Sequence, residues 1–291
     1  MVSLVSKSNA LIRASYKLTL AEQRLILACL AQLDTRRAMR PNADSPADQT
    51  DNLRVTALEY ADLYGVDMST AYKEIHAAAK RLYDRSIKVV RPDGREEHFR
   101  WIWGRATHQR MGHVEISFTP DLARYVTALR GKFTSYGIDQ VRRLRCSNAM
   151  RLFELMMQWR GTGVARVSLA ELREMLQLSY GRFTDIRRFV LDPAVRQISE
   201  HTDFSATWRP IRVGRQVDAV EIRFAERDQG VLPLGAEARA AAPTDTLFPA
   251  EETPAGLSTS AHQRLDQLFD EEIGRVGIAH GDMGHPGSQR G

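Results

Sequence analysis

The sequence predicts an α+β fold made of two tandem copies of one unit and closed by a disordered C-terminal tail. Three observations predict it. Helix-start signals recur: Thr56 with Glu59, and Ser168 with Glu171, each set a hydroxyl three residues ahead of a glutamate, the pattern of a capping box. The segments after each start also recur. A short helix, a tight turn and a basic amphipathic helix come first, and Tyr72 and Ile75 align with Phe183 and Ile186 at one offset of 111 residues. Alternating strand segments around a turn come next. A helix-turn-helix succeeded by a β-hairpin is a winged helix, so the chain holds two. The third observation is charge. Residues 1–120 carry +4, residues 121–225 carry +7 and residues 226–291 carry −6. The basic charge belongs to the folded part and points to a polyanionic partner.

A chain of 291 residues suits two domains with sequence to spare. The longest apolar run, Leu25 to Ala31, is too short to span a bilayer. Lys7 and Arg13 interrupt the N-terminus and no long apolar region comes after them, so no signal peptide is expected. The expectation is a cytoplasmic protein with no membrane partner. Cys29 and Cys146 sit in apolar helical patterns and read as buried free thiols. His98, His108 and His113 fit no zinc spacing and supply no His-x-His pair for a metal-dependent nicking enzyme. No metal and no cofactor is expected.

Taken in order, Thr19 and Glu22 open a helix to about Leu33 with Leu25, Ile26, Cys29, Leu30 and Leu33 on its apolar side. Leu11, Leu18 and Leu25 fall seven apart, a spacing that fits core packing or a dimer contact, though three leucines are too few for a coiled coil. Residues 34–53 read as a loop. A short helix then ends near Tyr64, Gly65-Val66-Asp67 makes the turn, and a second helix runs from about Met68 to Asp84 with Tyr72, Ile75, Ala79 and Leu82 inward. Ile87–Val90 and His98–Trp103, around Pro92-Asp93-Gly94, read as the first wing, with Val114–Phe118 a third strand. Thr119 caps a helix to about Leu129 with Pro120 in its first position, and Arg130-Gly131-Lys132 reads as a hinge. Ile138–Leu144 looks helical, and Ser147 caps a helix through Trp159. Arg142, Arg143 and Arg145 fit phosphate contacts or a solvated face equally.

In the second unit a helix runs from Ser168 to near Leu176. The turn spans residues 177–182, and the next helix sets Phe183, Ile186, Phe189 and Val190 on one face. Asp192 can cap a fresh turn with Pro193 behind it, so a kink or restart is expected there. Phe204–Arg212, a turn at Val213–Arg215 and a return to Phe224 make the second wing. Past Glu226 the Ala-, Pro- and acid-rich sequence should be disordered, apart from a short helix near residues 261–273. The domains expected are 1–130, 131–228 and an acidic tail, 229–291.

Several segments carry a wider pattern: Leu18–Arg24, Phe133–Tyr136, Arg151–Leu155, Leu169–Leu176, Arg188–Val195 and Gly214-Arg215. Together, over about residues 8–225, the chain resembles the plasmid replication initiators of the Rep_3 superfamily. The resemblance implies monomers on directly repeated iterons at a plasmid origin, with the two domains in successive major grooves. It implies dimers, formed through the first domain, that repress the initiator's own promoter. Its implied partners are double-stranded DNA, host DnaA, the replicative helicase and chaperones, and it implies no catalytic residue. A stand-alone transcriptional repressor is the alternative.

A helix fits the major groove, and arginine can contact guanine with two hydrogen bonds. Arg182, Thr184, Arg187 and Arg188 are therefore the candidate base readers. Tyr180, and Arg212 and Arg215 on the wing, are candidate phosphate contacts. On the first unit's helix, Ser69, Thr70, Lys73, His76 and Lys80 have mixed chemistry that suits backbone positioning more than base reading. Asp185 either accepts from cytosine or orients an arginine.

Overall fold

The computed structural model describes residues 3–33, 49–91, 93–108, 112–127, 129 and 132–227. Strand β1 (Leu4–Ser8) and one turn of helix, α1 (Asn9–Arg13), open the chain. Thr19 and Glu22 then close a reciprocal box on α2 (Leu20–Leu30): Glu22 N donates to Thr19 Oγ1 at 3.3 Å, and Thr19 N donates to the Glu22 carboxylate at 2.7 Å. Leu11, Leu18 and Leu25 are 0–5% exposed, so their seven-residue spacing serves the core. β2 (Leu53–Thr56) leads into α3 (Ala57–Tyr64), where Thr56 and Glu59 complete the second box. Asp67 caps α4 (Met68–Leu82), which buries Ala71, Ile75, Ala78, Ala79 and Leu82 and leaves Tyr72 half-buried.

The strands behind α4 are β3 (Ser86–Val90), β4 (Glu96–Arg100), β5 (Ile102–His108) and β6 (His113–Phe118). The run His98–Trp103 does not form one strand. Trp101 is buried edge-on to Tyr16, at 4.9 Å between ring centres, and this anchor splits the run between two sheets. β3 and β4 pair with each other, whereas β5 and β6 join β2 in the order β2-β6-β5. The first wing is therefore β5–β6, not the β3–β4 hairpin expected from the turn near Gly94. α5 (Pro120–Val126) carries the expected Thr119 cap and Pro120 but stops short of Leu129. β7 (Phe133–Gly137) comes next and pairs with β1, five residues against five. Ile138–Gln140 is a single 3-10 turn, not a helix to Leu144.

α6 (Ser147–Met157) comes next. Ser147 is its first helical residue; Cys146 holds the cap position and supplies no side-chain bond. Gly163, at φ +68°, leads into β8 (Val164–Ser168), and a Cβ there would meet the Phe224 carbonyl oxygen at 2.7 Å. Ser168 caps α7 (Leu169–Met175), but the box stays half closed, because the Glu171 carboxylate accepts instead from Arg13 Nη1 at 2.7 Å.

α8 (Phe183–Ile186), a π-helical turn (Arg187–Leu191) and α9 (Asp192–His201) form one continuous helix over 183–201. Pro193 has no N–H to donate, and its ring would crowd the carbonyl of Phe189. The chain answers with a wider turn, in which Asp192 N donates five residues back to Arg187 O. Asp192 keeps helical dihedrals, so the expected fresh cap is absent. The wider turn also rotates Phe189 out of the buried stripe, to 50% exposure, against expectation.

β9 (Phe204–Val213) and β10 (Gln216–Glu226) turn at Gly214, φ +60°, and join β8 in the order β8-β10-β9. The two three-stranded sheets share one plan, and the fold is a tandem pair of winged helices. On the second sheet Glu221 lies opposite Arg166 and Arg209 and two residues from Arg223. It accepts from all three guanidinium groups at 2.7–2.8 Å. Those hydrogen bonds, led by Arg209 and Arg223, hold its carboxyl at about 2. The expected loop over 34–48, Pro92 of the first hairpin turn, the hinge residues Arg130 and Gly131, and the acidic tail with its short helix lie outside the described residues.

Strands β1 and β7 meet α6 over buried charge. Lys7 Nζ on β1 lies 2.6 Å from Glu154 Oε1 on α6, and the Tyr136 hydroxyl from β7 donates to the same oxygen at 2.6 Å. Arg151 donates to the carbonyls of Ala14 and Met175 at 2.7 and 3.2 Å and covers the Tyr16 ring at 3.6 Å. Glu154→Leu, which strands two buried cations, should cost about 3–5 kcal/mol in urea unfolding. Glu221 gives a pH test. Its carboxyl is depressed from 4.5 to about 2, so its stabilisation is complete above 4.5 and is lost as pH falls toward 2. The stability gap between wild type and Glu221→Gln should therefore shrink across that window; a constant gap would contradict the triple ion pair.

Candidate nucleic-acid interface

The helix over 183–201 carries the expected readers on its outward side. Arg182 stands at its N-cap, and Arg182, Thr184, Arg187 and Arg188 are all exposed. The turn before it is pinned by Arg173, whose Nη1 and Nη2 donate to the carbonyls of Tyr180 and Gly181 at 2.7 and 3.0 Å. Arg173 is not among the expected site residues. Its one signal is its place in the last turn of α7, where a basic side chain can reach free carbonyls.

Asp192, rather than Asp185, orients an arginine. Its Oδ2 accepts from Arg187 Nε at 3.3 Å while its Oδ1 accepts from the Trp208 indole at 2.9 Å. Among the described residues Asp185 forms no ion pair with an arginine. Phe189 joins the site: its ring stacks on Tyr180 at 5.7 Å and 20°, and the Arg188 guanidinium lies 5.4 Å from its centre. Tyr180 is thus half-buried in a stack. An exposed aromatic ring beside two arginines offers apolar contact of the kind thymine methyl groups accept.

On the wing, Arg212 and Arg215 are both exposed at the tip, and Arg212 Nη1 donates to the Arg215 carbonyl at 3.3 Å. Arg182, Arg188, Arg212 and Arg215 form no ion pair among the described residues, so their charge is available to phosphate.

The first unit differs. Ser69, Lys73 and Lys80 are exposed on one stripe of α4. Thr70 spends its hydroxyl on Asp67 Oδ2 at 2.6 Å, and that hydroxyl, with the Thr70 backbone N–H, holds the Asp67 carboxyl below its usual range. His76 is half-buried: Nδ1 lies 2.9 Å from the Tyr72 carbonyl oxygen and the ring stacks on Tyr72 at 4.2 Å. Nearby cations are committed inward, Arg81 and Arg85 to the buried Glu22, and Lys88 to Glu96 and Glu174 at 2.8 Å each.

Among the described residues no group of three or more His, Cys, Asp or Glu could hold a metal ion, and no helix is long and apolar enough to cross a membrane. Burial pushes the Cys29 thiol well up, away from reactivity.

Two family models match the chain, that of the initiator replication protein WH1 over residues 4–157 and that of the initiator Rep protein WH2 over residues 168–224. An uncharacterized 27.6 kDa protein of Escherichia coli is 27% identical over 213 residues, 70% of this chain and 88% of that one. A replication initiation protein of Escherichia coli is 25% identical over 209 residues, 69% of this chain and 63% of its own length. The crystal structure of the Pi initiator protein in complex with iteron DNA shares the fold, with a TM-score of 0.65 and 20% identity over 78% of this chain and 98% of that chain. With one family model spanning more than half of its length and a second adjoining it in tandem, the chain belongs to the Rep_3 family of plasmid replication initiators.

Proposed function

We propose that this protein initiates plasmid replication by seating its two helix-turn-helix units in successive major grooves of directly repeated origin DNA. The carrying observation is the outward face of the second recognition helix, where Arg182, Thr184, Arg187 and Arg188 stand exposed, as do Arg212 and Arg215 on the wing. The second domain, residues 131–228, reads bases. The first, residues 1–130, holds the DNA backbone through Ser69, Lys73 and Lys80, with Thr70 and His76 shaping that helix. Tyr180 contributes by supporting Phe189 and by touching phosphate. Opening of the origin needs no catalytic residue here, since bending and unwinding draw on binding energy.

Dimers that repress the initiator's own promoter belong to the same reading. β5 is the edge strand of the first sheet and carries Trp103 at 58% exposure, which supports pairing through the first domain. Recruitment of host DnaA and the replicative helicase, a chaperone-set balance of monomer and dimer, and a cytoplasmic site of action belong to the same proposal, and membership of the family supports them.

The test places the gene and its flanking DNA on a replicon that lacks an origin. Autonomous replication, with protein protecting direct repeats beside the gene, is expected. No replication, with protection of a lone inverted repeat, would make the protein a repressor only. At residue level, Arg188→Ala should cost about 1–3 kcal/mol on the preferred duplex and little on random DNA. Arg215→Ala should weaken binding to both and lower the salt slope by about one. Equal losses on preferred and random DNA for Arg188→Ala would remove it from the base-reading set.

A further inference from the structure

Among the described residues, Phe189 is the one large apolar side chain that the second helix-turn-helix exposes. It is 50% exposed, although Ile186 and Val190 on the same helix are buried. With Arg182 and Asp185 it forms one stripe, at spacings of three and four residues, and Thr184 and Arg188 form the stripe beside it. The ring therefore shares its side of the helix with one candidate base reader, Arg182, and borders another, Arg188. It is also held in place. It stacks on Tyr180 at 5.7 Å and 20°, and the Arg188 guanidinium lies 5.4 Å from its centre. A lone exposed apolar residue is ordinary on a protein surface. A ring fixed by stacking and by a cation, among groups that hydrogen-bond, is instead a preorganised apolar contact, which loses little freedom on binding.

The apolar group that base edges present in the major groove is the C5-methyl of thymine. We propose that Phe189 reads that methyl group, and that Arg188 reads a guanine within two base pairs of the same thymine. Base pairs stack about 3.4 Å apart, so a ring and a guanidinium 5.4 Å apart reach neighbouring positions rather than distant ones. Thymine is then told from cytosine by its methyl group, and 5-methylcytosine passes for thymine at this contact. The inference deepens the base-reading role proposed above and rests on it.

The test uses the full chain and Phe189→Ala, since alanine best keeps an exposed helix position helical. Binding is measured to the duplex that the wild type selects from random sequences, with each thymine in turn replaced by uracil. That exchange removes one methyl group and leaves the hydrogen bonds of the base pair in place. One uracil position should weaken wild-type binding about fourfold, the worth of one buried methyl group. Phe189→Ala should bind the unmodified duplex at least that much more weakly and lose nothing further at that position. Its affinity for random duplex should match the wild type. Where the same T·A pair is replaced by C·G, a 5-methyl group on the cytosine should strengthen wild-type binding about fourfold and leave Phe189→Ala unchanged. Exchange of each guanine for 7-deazaguanine, which lacks the N7 acceptor, locates the partner of Arg188. That position should cost the wild type, cost Arg188→Ala nothing further, and lie within two base pairs of the sensitive thymine.

The absence of a uracil-sensitive thymine, or equal uracil costs in wild type and Phe189→Ala, would overturn the methyl contact while leaving sequence-selective binding intact. Equal weakening of Phe189→Ala on selected and random duplexes would overturn it as well. A sensitive thymine more than two base pairs from the guanine would overturn the pairing with Arg188. A wild type that selects no duplex would sink base reading by this helix, and the inference with it.

Discussion

Everything that makes this chain one reading device depends on a buried cluster of charge. Lys7 arrives on the first strand, Tyr136 on its partner strand and Glu154 on α6, and the three meet at one carboxylate oxygen. A buried ion pair adds little net stability over good apolar packing, but its geometry is exacting, and a lost partner leaves a charge stranded. Its effect is therefore registration. It sets β1 against β7, and it sets α6 beneath both. Around it the docking continues with weaker, more exposed pairs: Arg13 to Glu171 and Lys88 to Glu174 join the first domain to α7. Hydrogen bonds to Glu174 and Glu96 push the Lys88 ammonium up to about 12, so this pair stays charged through the physiological range. The second helix-turn-helix is thereby held at a fixed place against the first.

That placement joins two unequal helix-turn-helix surfaces. The first spends its cations internally, on Glu22, Glu96 and Glu97, and leaves Ser69, Lys73 and Lys80 exposed. The second keeps Arg182, Arg188, Arg212 and Arg215 out of ion pairs among the described residues and disciplines the rest. Asp192 aims Arg187, and Arg173 pins the turn that feeds the recognition helix. The π-helical turn forced by Pro193 falls within the second helix of the second helix-turn-helix. It widens the helix where Arg187, Arg188 and Phe189 emerge, so a backbone constraint shapes this exposed face.

How much of the fold and the site is legible in the sequence depends on the range of each interaction. The Thr56 and Thr19 caps, the turn at Gly65-Val66-Asp67 and the basic helices are written within a few residues, and they appear where the residues place them. Strand pairing is not local. β1 and β7 lie about 130 residues apart, and neither alternates clearly enough to announce the other. The first wing is hidden for a similar reason: the turn near Gly94 is a good local signal for the wrong hairpin, and the anchoring of Trp101 against Tyr16 is a long-range contact. In the site, exposed arginines on an amphipathic helix are legible. Arg173, Phe189 and the Glu221 hub are not, because each depends on a partner brought by the fold or on a turn widened by a proline four residues on.

Hydroxyl-radical footprinting of the full chain on DNA flanking its gene tests most directly whether one chain sets two helices in successive major grooves of each repeat. Two protected patches about 10–10.5 base pairs apart on every direct repeat are expected. A single patch per repeat, or protection of an inverted repeat alone, would contradict it.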